Sequence, residues 1–289
     1  VQFEPSADDT VEDIVDDLIG AMPFDREFVE GLLARAAEYE EDGEVDALEV
    51  AQNLMDDAWE EEDPLKRHAM AQMAVEISPD CADAYVLLAR ETAIAMRYEI
   101  ELLTKAVEAG ERALGPEPFQ NDVGHFWGIV ETRPYMRARA SLAHVLWEAG
   151  HDDAAIDHIK DLLRLNPGDN QGLRYMLIHW LIETGRDDDA RQLMATYDED
   201  ASATWNFSRA LLEFRKNGDT KKAREMLEAA IDSNEHALGY LMGHEQLPED
   251  EPLFYTPGDE REAAMYCASG HQSWIRSPGA LEWLHHCQS

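Results

Sequence analysis

Two sets of side chains carry residue types that could do chemistry. His144 and His179 lie 35 residues apart, and a pair of imidazoles held in one cleft could bind a metal ion or pass a proton. Near the C-terminus, Cys267, His271, His285, His286 and Cys287 offer zinc-type ligands. Their spacing matches no standard zinc site, and a polar role for the histidines is the simpler expectation. The acidic runs EEDGEVD (40–46) and EEED (60–63) lack the ligand order of a calcium loop and read as solvated surface. The chain has no GxxxxGK[ST], GxSxG, HExxH or GxGxxG. The GHFWG stretch (124–128) has glycines without the strand-to-helix setting of a phosphate loop. The expectation is no catalytic residue, no cofactor and no bound metal. The alternative is a metal-binding or hydrolytic protein using its His and Cys residues.

The elements that would position these groups repeat. From Ser141, Tyr175 and Ser208 run three copies of one pattern: an apolar helical stretch, a glycine, then a second stretch opening on polar or acidic residues with an alanine. Gly150, Gly185 and Gly218 are 35 and 33 residues apart, and Ala155, Ala190 and Ala223 keep the same spacing. Glycine ends the first helix because it takes the left-handed conformation at little cost. Asp152 and Asp187 are expected to cap the second helix. The alanines fall where paired helices cross closely, and Pro167 stops the second helix of the first copy.

A period near 34 residues resembles the tetratricopeptide repeat. Leu142, Ala143, Leu146, Gly150, Ala155, Ile159, Leu162 and Pro167 carry the likeness in the first copy, and Leu177, Leu181, Gly185, Ala190 and Met194 in the second. Phe207, Ala210, Phe214, Gly218, Ala223, Leu227 and Ala230 carry it in the third, with an earlier copy at Ala74, Pro79, Ala82, Tyr85, Leu88 and Ala89. A narrower likeness lies in SPDCADAYVLLARE (78–91), the long helix after it and RPYMRARASLAHVLWEAG (133–150). Over about residues 64 to 232 this is similar to the repeat region of the suppressor-of-tumorigenicity-seven family. That resemblance brings no chemistry with it. The implied fold is all-α, a solenoid of antiparallel helix pairs, each covering what its neighbour leaves exposed.

Three regions follow. Residues 1–63 form an acidic helical cap with expected helices at 11–22, 24–39 and 45–60. Residues 64–233 hold the repeats, interrupted at 115–134 by an insertion carrying Phe119, His125, Phe126 and Trp127, which is expected to plug the array. Residues 234–289 form a C-terminal cap with short helices at 260–268 and 279–286, expected to pack on the last repeat.

In tetratricopeptide arrays the second, fifth, ninth and twelfth positions of each first helix face the inner groove. The resemblance assigns these to Asp83, Val86, Arg90 and Ala93; to Arg137, Ala140, His144 and Trp147; to Gly172, Tyr175, His179 and Ile182; and to Trp205, Ser208, Leu212 and Arg215. The candidate peptide-binding groove is therefore Arg90, Arg137, His144, Tyr175, His179, Trp205 and Arg215. Two readings of its cations stand side by side. They receive an acidic or carboxylate-bearing peptide through charge-assisted hydrogen bonds, or they pair with acids of the chain itself.

Charge and cysteines bound the rest. Sixty-one Asp and Glu against 24 Lys and Arg give a net charge of −37, which opposes nucleic-acid binding over most of the surface. Such acidity suits a cell with high internal salt or simply an acidic protein from a GC-rich genome. No apolar run reaches about 18 residues and no secretory leader is visible. Three cysteines without a CxxC suit a reducing compartment. The expectation is a cytoplasmic, non-enzymatic scaffold that binds a protein or peptide, away from membranes, of undetermined oligomeric state.

Overall fold

A computed structural model describes residues 46–92, 95–248, 252 and 254–287. The helices expected at 11–22 and 24–39, most of the acidic run at 40–46, and Ala93 lie outside the described residues. Two compact units are present, the first ending at Asn170 and the second beginning at Gln171. Each is taken by itself.

The first unit contains α1 (Ala47–Glu60), α2 (Pro64–Ile77), α3 (Ala82–Thr92), α4 (Met96–Leu114), the short α5 (Pro118–Asn121), α6 (Arg133–Glu148) and α7 (Asp152–Leu165). Consecutive helices pack as pairs, α1 on α2, α3 on α4 and α6 on α7, while α3 also lies against α6. Asp46 and Asp63 cap α1 and α2 by accepting from the backbone N–H groups of Leu48 and Leu65. The core of this end is small and sulfur-rich: Ala51, Met55, Ala58, Met70, Met73, Ala74, Cys81 and Leu87 cluster together. Burial pushes the Cys81 thiol up to about 12, so it packs as an inert apolar group.

The insertion folds onto this unit. Phe126 is fully buried and makes a tilted contact with Phe119 and an edge contact with Tyr135, at centroid distances of 5.2 and 6.4 Å. Gly124 donates to the Leu165 carbonyl at the end of α7, and the Trp127 ring receives the Arg133 guanidinium at 5.4 Å. One residue sets the distance between α4 and α6. A Cβ on Gly110 would lie 2.9 Å from the Tyr135 Cβ and 3.0 Å from its Cα.

The second unit contains α8 (Leu173–Glu183), α9 (Asp187–Thr196), α10 (Ala203–Asn217), α11 (Lys221–Ser233), α12 (Ala237–Leu241), α13 (Glu260–Ile275) and α14 (Ala280–Cys287). The pairs α8–α9 and α10–α11 are the expected repeats. Gly150, Gly185 and Gly218 all have positive φ, between 71 and 78°, and Ala155, Ala190 and Ala223 are wholly buried.

Two local expectations change. Asp152 and Asp187 are the first residues of α7 and α9, not their caps: His151 and Arg186 hold the cap positions, without side-chain capping bonds. A single residue separates each turn glycine from the helix, so the aspartates enter the first turn, where they still favour its positive end. The first C-terminal helix, α13, is also longer than expected, while α14 keeps its expected length, and α13 packs on α8 as well as on α10.

Gly110→Ala should lower stability by about 1–3 kcal/mol, since the new methyl meets backbone as well as side chain of Tyr135. Gly150→Ala, with open space around its Cβ, should cost about 1 kcal/mol from φ alone. Urea unfolding of the two variants against the parent checks the order.

Candidate functional site: the inner faces of the helix pairs

In the first unit the inner face is built around a carboxylate. Asp83 sits in the first turn of α3 between the buried Ala82 and Ala84 and is itself fully buried. Arg137 of α6 grips it with two parallel bonds, Nε to Oδ1 at 2.9 Å and a terminal nitrogen to Oδ2, and Gln52 of α1 donates to the same Oδ2 at 2.8 Å. One side chain thus ties α1, α3 and α6 together. Burial pulls the Arg137 pKa down, but Asp83 and then Asp56 more than reverse this, so its charge is fixed. The Asp56 carboxyl is held above its usual range by burial and by the Asp83 anion, against the pull of Arg137.

The other two expected residues of this face are exposed. The Arg90 guanidinium lies over the Trp59 ring at 5.4 Å, and His144 is 3.3 Å from Glu148 one turn on. Of these three side chains, Arg137 and His144 therefore already lie against acids of the chain.

In the second unit α13 packs on both α8 and α10. His179 is only 3 % exposed and Trp205 is 0 % exposed, so both are interior residues here, not surface ones. Tyr266 of α13 lies 5.8 Å from the His179 ring and stacks on Phe207 at 5.3 Å. His179 Nδ1 has no hydrogen-bond partner among the described residues, and burial lowers its pKa to about 4. Trp205 meets Tyr175 edge-on at 5.6 Å. The Tyr175 hydroxyl donates to Asp200 at 2.9 Å, beside Arg174, whose guanidinium stacks over the Tyr175 ring at 4.2 Å. Burial raises the Tyr175 pKa, and nearby Arg174 does not offset it. Arg215 donates to Asp187 at 3.0 Å and to the Ser277 hydroxyl at 2.8 Å. The cation joins two helices and the segment after α13.

Among the described residues no three His, Cys, Asp or Glu side chains are placed to hold a metal ion. Cys267 is buried, donates to the Ala237 carbonyl and has its thiol pushed up to about 12 by burial. Cys287 is exposed.

Sequence reasoning placed Asp83 on the inner face without marking it as a site residue, and it missed the seat of α13. The α13 anchors Glu262, Tyr266, Gly270 and Trp274 recur every fourth residue, a helix-face signal that a longer expected helix would have exposed.

Arg137→Ala should cost about 3 kcal/mol, because it strands a fully buried carboxylate; Arg137 keeps 40 % of its side chain exposed, which holds the loss to the low end of the range for broken buried pairs. Arg90→Ala should cost less than about 1 kcal/mol. Denaturant melts separate the two. Because His179 binds its proton less readily folded than unfolded, its contribution is intact above about pH 6.5 and drains away as pH falls toward 4, at roughly 1.4 kcal/mol per pH unit. The acid limb of stability in His179→Gln should be shallower by that slope, and an unchanged limb would contradict the assignment.

A family profile described as "ST7 protein" matches residues 42–288, beyond both ends of the stretch that carried the resemblance in sequence. "Protein ST7 homolog" of Drosophila melanogaster is 27% identical over 265 residues, covering 84% of this chain and 49% of that protein. "Suppressor of tumorigenicity 7 protein-like" of Rattus norvegicus is 28% identical over 263 residues, covering 83% and 47%, and the Homo sapiens protein of that name is 27% identical over 263, covering 83% and 46%. The chain spans about half the length of the curated relatives it matches. Among solved structures, YrrB, described as a TPR protein with an unusual peptide-binding site, aligns with a TM-score of 0.47 and 20% identity over 70% of this chain and 91% of that one. With the family profile running through nearly all of the described helices, the chain belongs to the ST7 protein family.

Proposed function

We propose that the protein is a non-enzymatic scaffold that binds a protein or peptide segment on the inner face of its first unit. The observation that carries this reading is the contrast between equivalent positions. In the second unit His179 of α8 and Leu212 of α10 are buried, with a helix of the chain seated on both helices, which supports the inner face of such pairs as a surface that receives a helix. In the first unit Arg90 and His144 occupy the same repeat positions and are exposed.

The chemistry of the segment follows from what is already neutralised. Arg137 holds Asp83 and His144 faces Glu148, which removes most of the support for a strongly acidic ligand. Arg90 over Trp59 is the cation of this face for which the described residues supply no acid. A single carboxylate on Arg90, within an otherwise polar segment, fits best. The net charge of −37 argues against nucleic acid. None of the described helices is long and apolar enough to cross a membrane, and buried, inert Cys81 and Cys267 support a reducing, cytoplasmic setting.

A partner captured by the intact chain from native lysate should be lost, by tenfold or more in affinity, when Arg90→Glu and His144→Glu are combined, with helicity unchanged. Both side chains are exposed, so the fold should tolerate the pair. Full retention of every captured partner by the double variant would overturn the assignment of this face.

A further inference from the structure

The seat of α13 is built like a ligand site. Glu262 is a buried carboxylate whose Oε1 accepts from the backbone N–H of Ala203, the first residue of α10, at 3.0 Å. Its Oε2 accepts from the Asn234 side chain at 3.0 Å and from the Gly258 N–H at 2.7 Å. One turn on, Tyr266 lies on Phe207 and His179. One turn further, Gly270 gives His179 its room: a Cβ there would stand 2.8 Å from the imidazole Cε1. Another turn on, Trp274 is fully buried, donates to the Tyr266 hydroxyl at 2.7 Å and stacks on Trp283 of α14. Charge anchor, aromatic, small residue and aromatic thus recur at four-residue steps on one helix face, which is how a helix is read by a groove.

The fit is incomplete in one respect. His179 Nδ1 beneath α13 and Ser273 Oγ within it are buried without a hydrogen-bond partner among the described residues. Buried polar atoms are nearly always paired in a core, and each orphan weakens the seat that covers it.

We propose that the α8–α10 face is a helix-binding groove, occupied in the free protein by the chain's own α13 and exchanged for a partner helix of the same pattern. The partner carries Glu, an aromatic residue, Gly or another very small residue, and an aromatic residue at i, i+4, i+8 and i+12. This extends the scaffold reading to the second unit and does not rest on the Arg90 face, so either can fail alone.

The test uses the intact chain and a labelled peptide copying residues 256–287. The peptide should bind wild type saturably, and bind the full-length Glu262→Gln variant about tenfold more tightly, because the internal copy has lost its charged anchor while the peptide keeps it. In hydrogen exchange of the unmodified wild type, α13 amides should open at lower denaturant than those of α8 and α10. This second readout needs no variant. A peptide that binds neither protein, or α13 amides that exchange only together with those of α8 and α10, overturns the proposal.

Discussion

Ala155, Ala190 and Ala223 are wholly buried in the second helix of their pairs, each five residues after a glycine with positive φ. A methyl at such a position lets two helices approach closely, and the glycine lets the chain reverse within three residues. Neither helix of a pair can bury its apolar stripe alone, so the turn and the small residue together decide which faces remain for something else. What remains is the inner side of each first helix, and the use made of that side differs between the units.

In the first unit it is polar. Asp83 is buried there only because Arg137 and Gln52 satisfy it, and the same bonds join α1, α3 and α6. Such a pair contributes little net stability relative to an apolar replacement, yet it fixes geometry, since removing either partner exposes the cost of the other. In a chain with 61 acids and 24 bases, arginines are scarce, and the structure spends Arg137 and Arg215 on internal joints. In the second unit the corresponding surface is aromatic and apolar, with His179 held neutral by burial, and a helix of the chain covers it.

The repeats were legible in sequence because their signals are local. A left-handed turn demands glycine, and an apolar stripe shows its period within a dozen residues, so α6 to α11 fall near their expected places. The helix caps slipped by one residue because aspartate suits both the cap and the first turn. The inner face was only half legible. The resemblance to tetratricopeptide arrays placed Arg137, Tyr175 and Trp205 on it, but the partners of Arg137 and Arg215 lie 54 and 28 residues away in sequence, and no local pattern records such a pairing. The seat of α13 was least visible, because a helix set apart from the repeats reveals where it docks only in three dimensions.

The central claim is that the ninth position of each first helix is open in the first unit, at Arg90 and His144, and filled in the second, at His179 and Leu212. Thiol labelling followed by mass spectrometry tests it directly, with Arg90→Cys and Leu212→Cys introduced singly and the native exposed Cys287 as the internal scale. The account predicts that the thiol at 90 reacts within about tenfold of Cys287, while the thiol at 212 reacts at least about a hundredfold more slowly, limited by opening of the helix above it. Equal reactivity at 90 and 212 would contradict it.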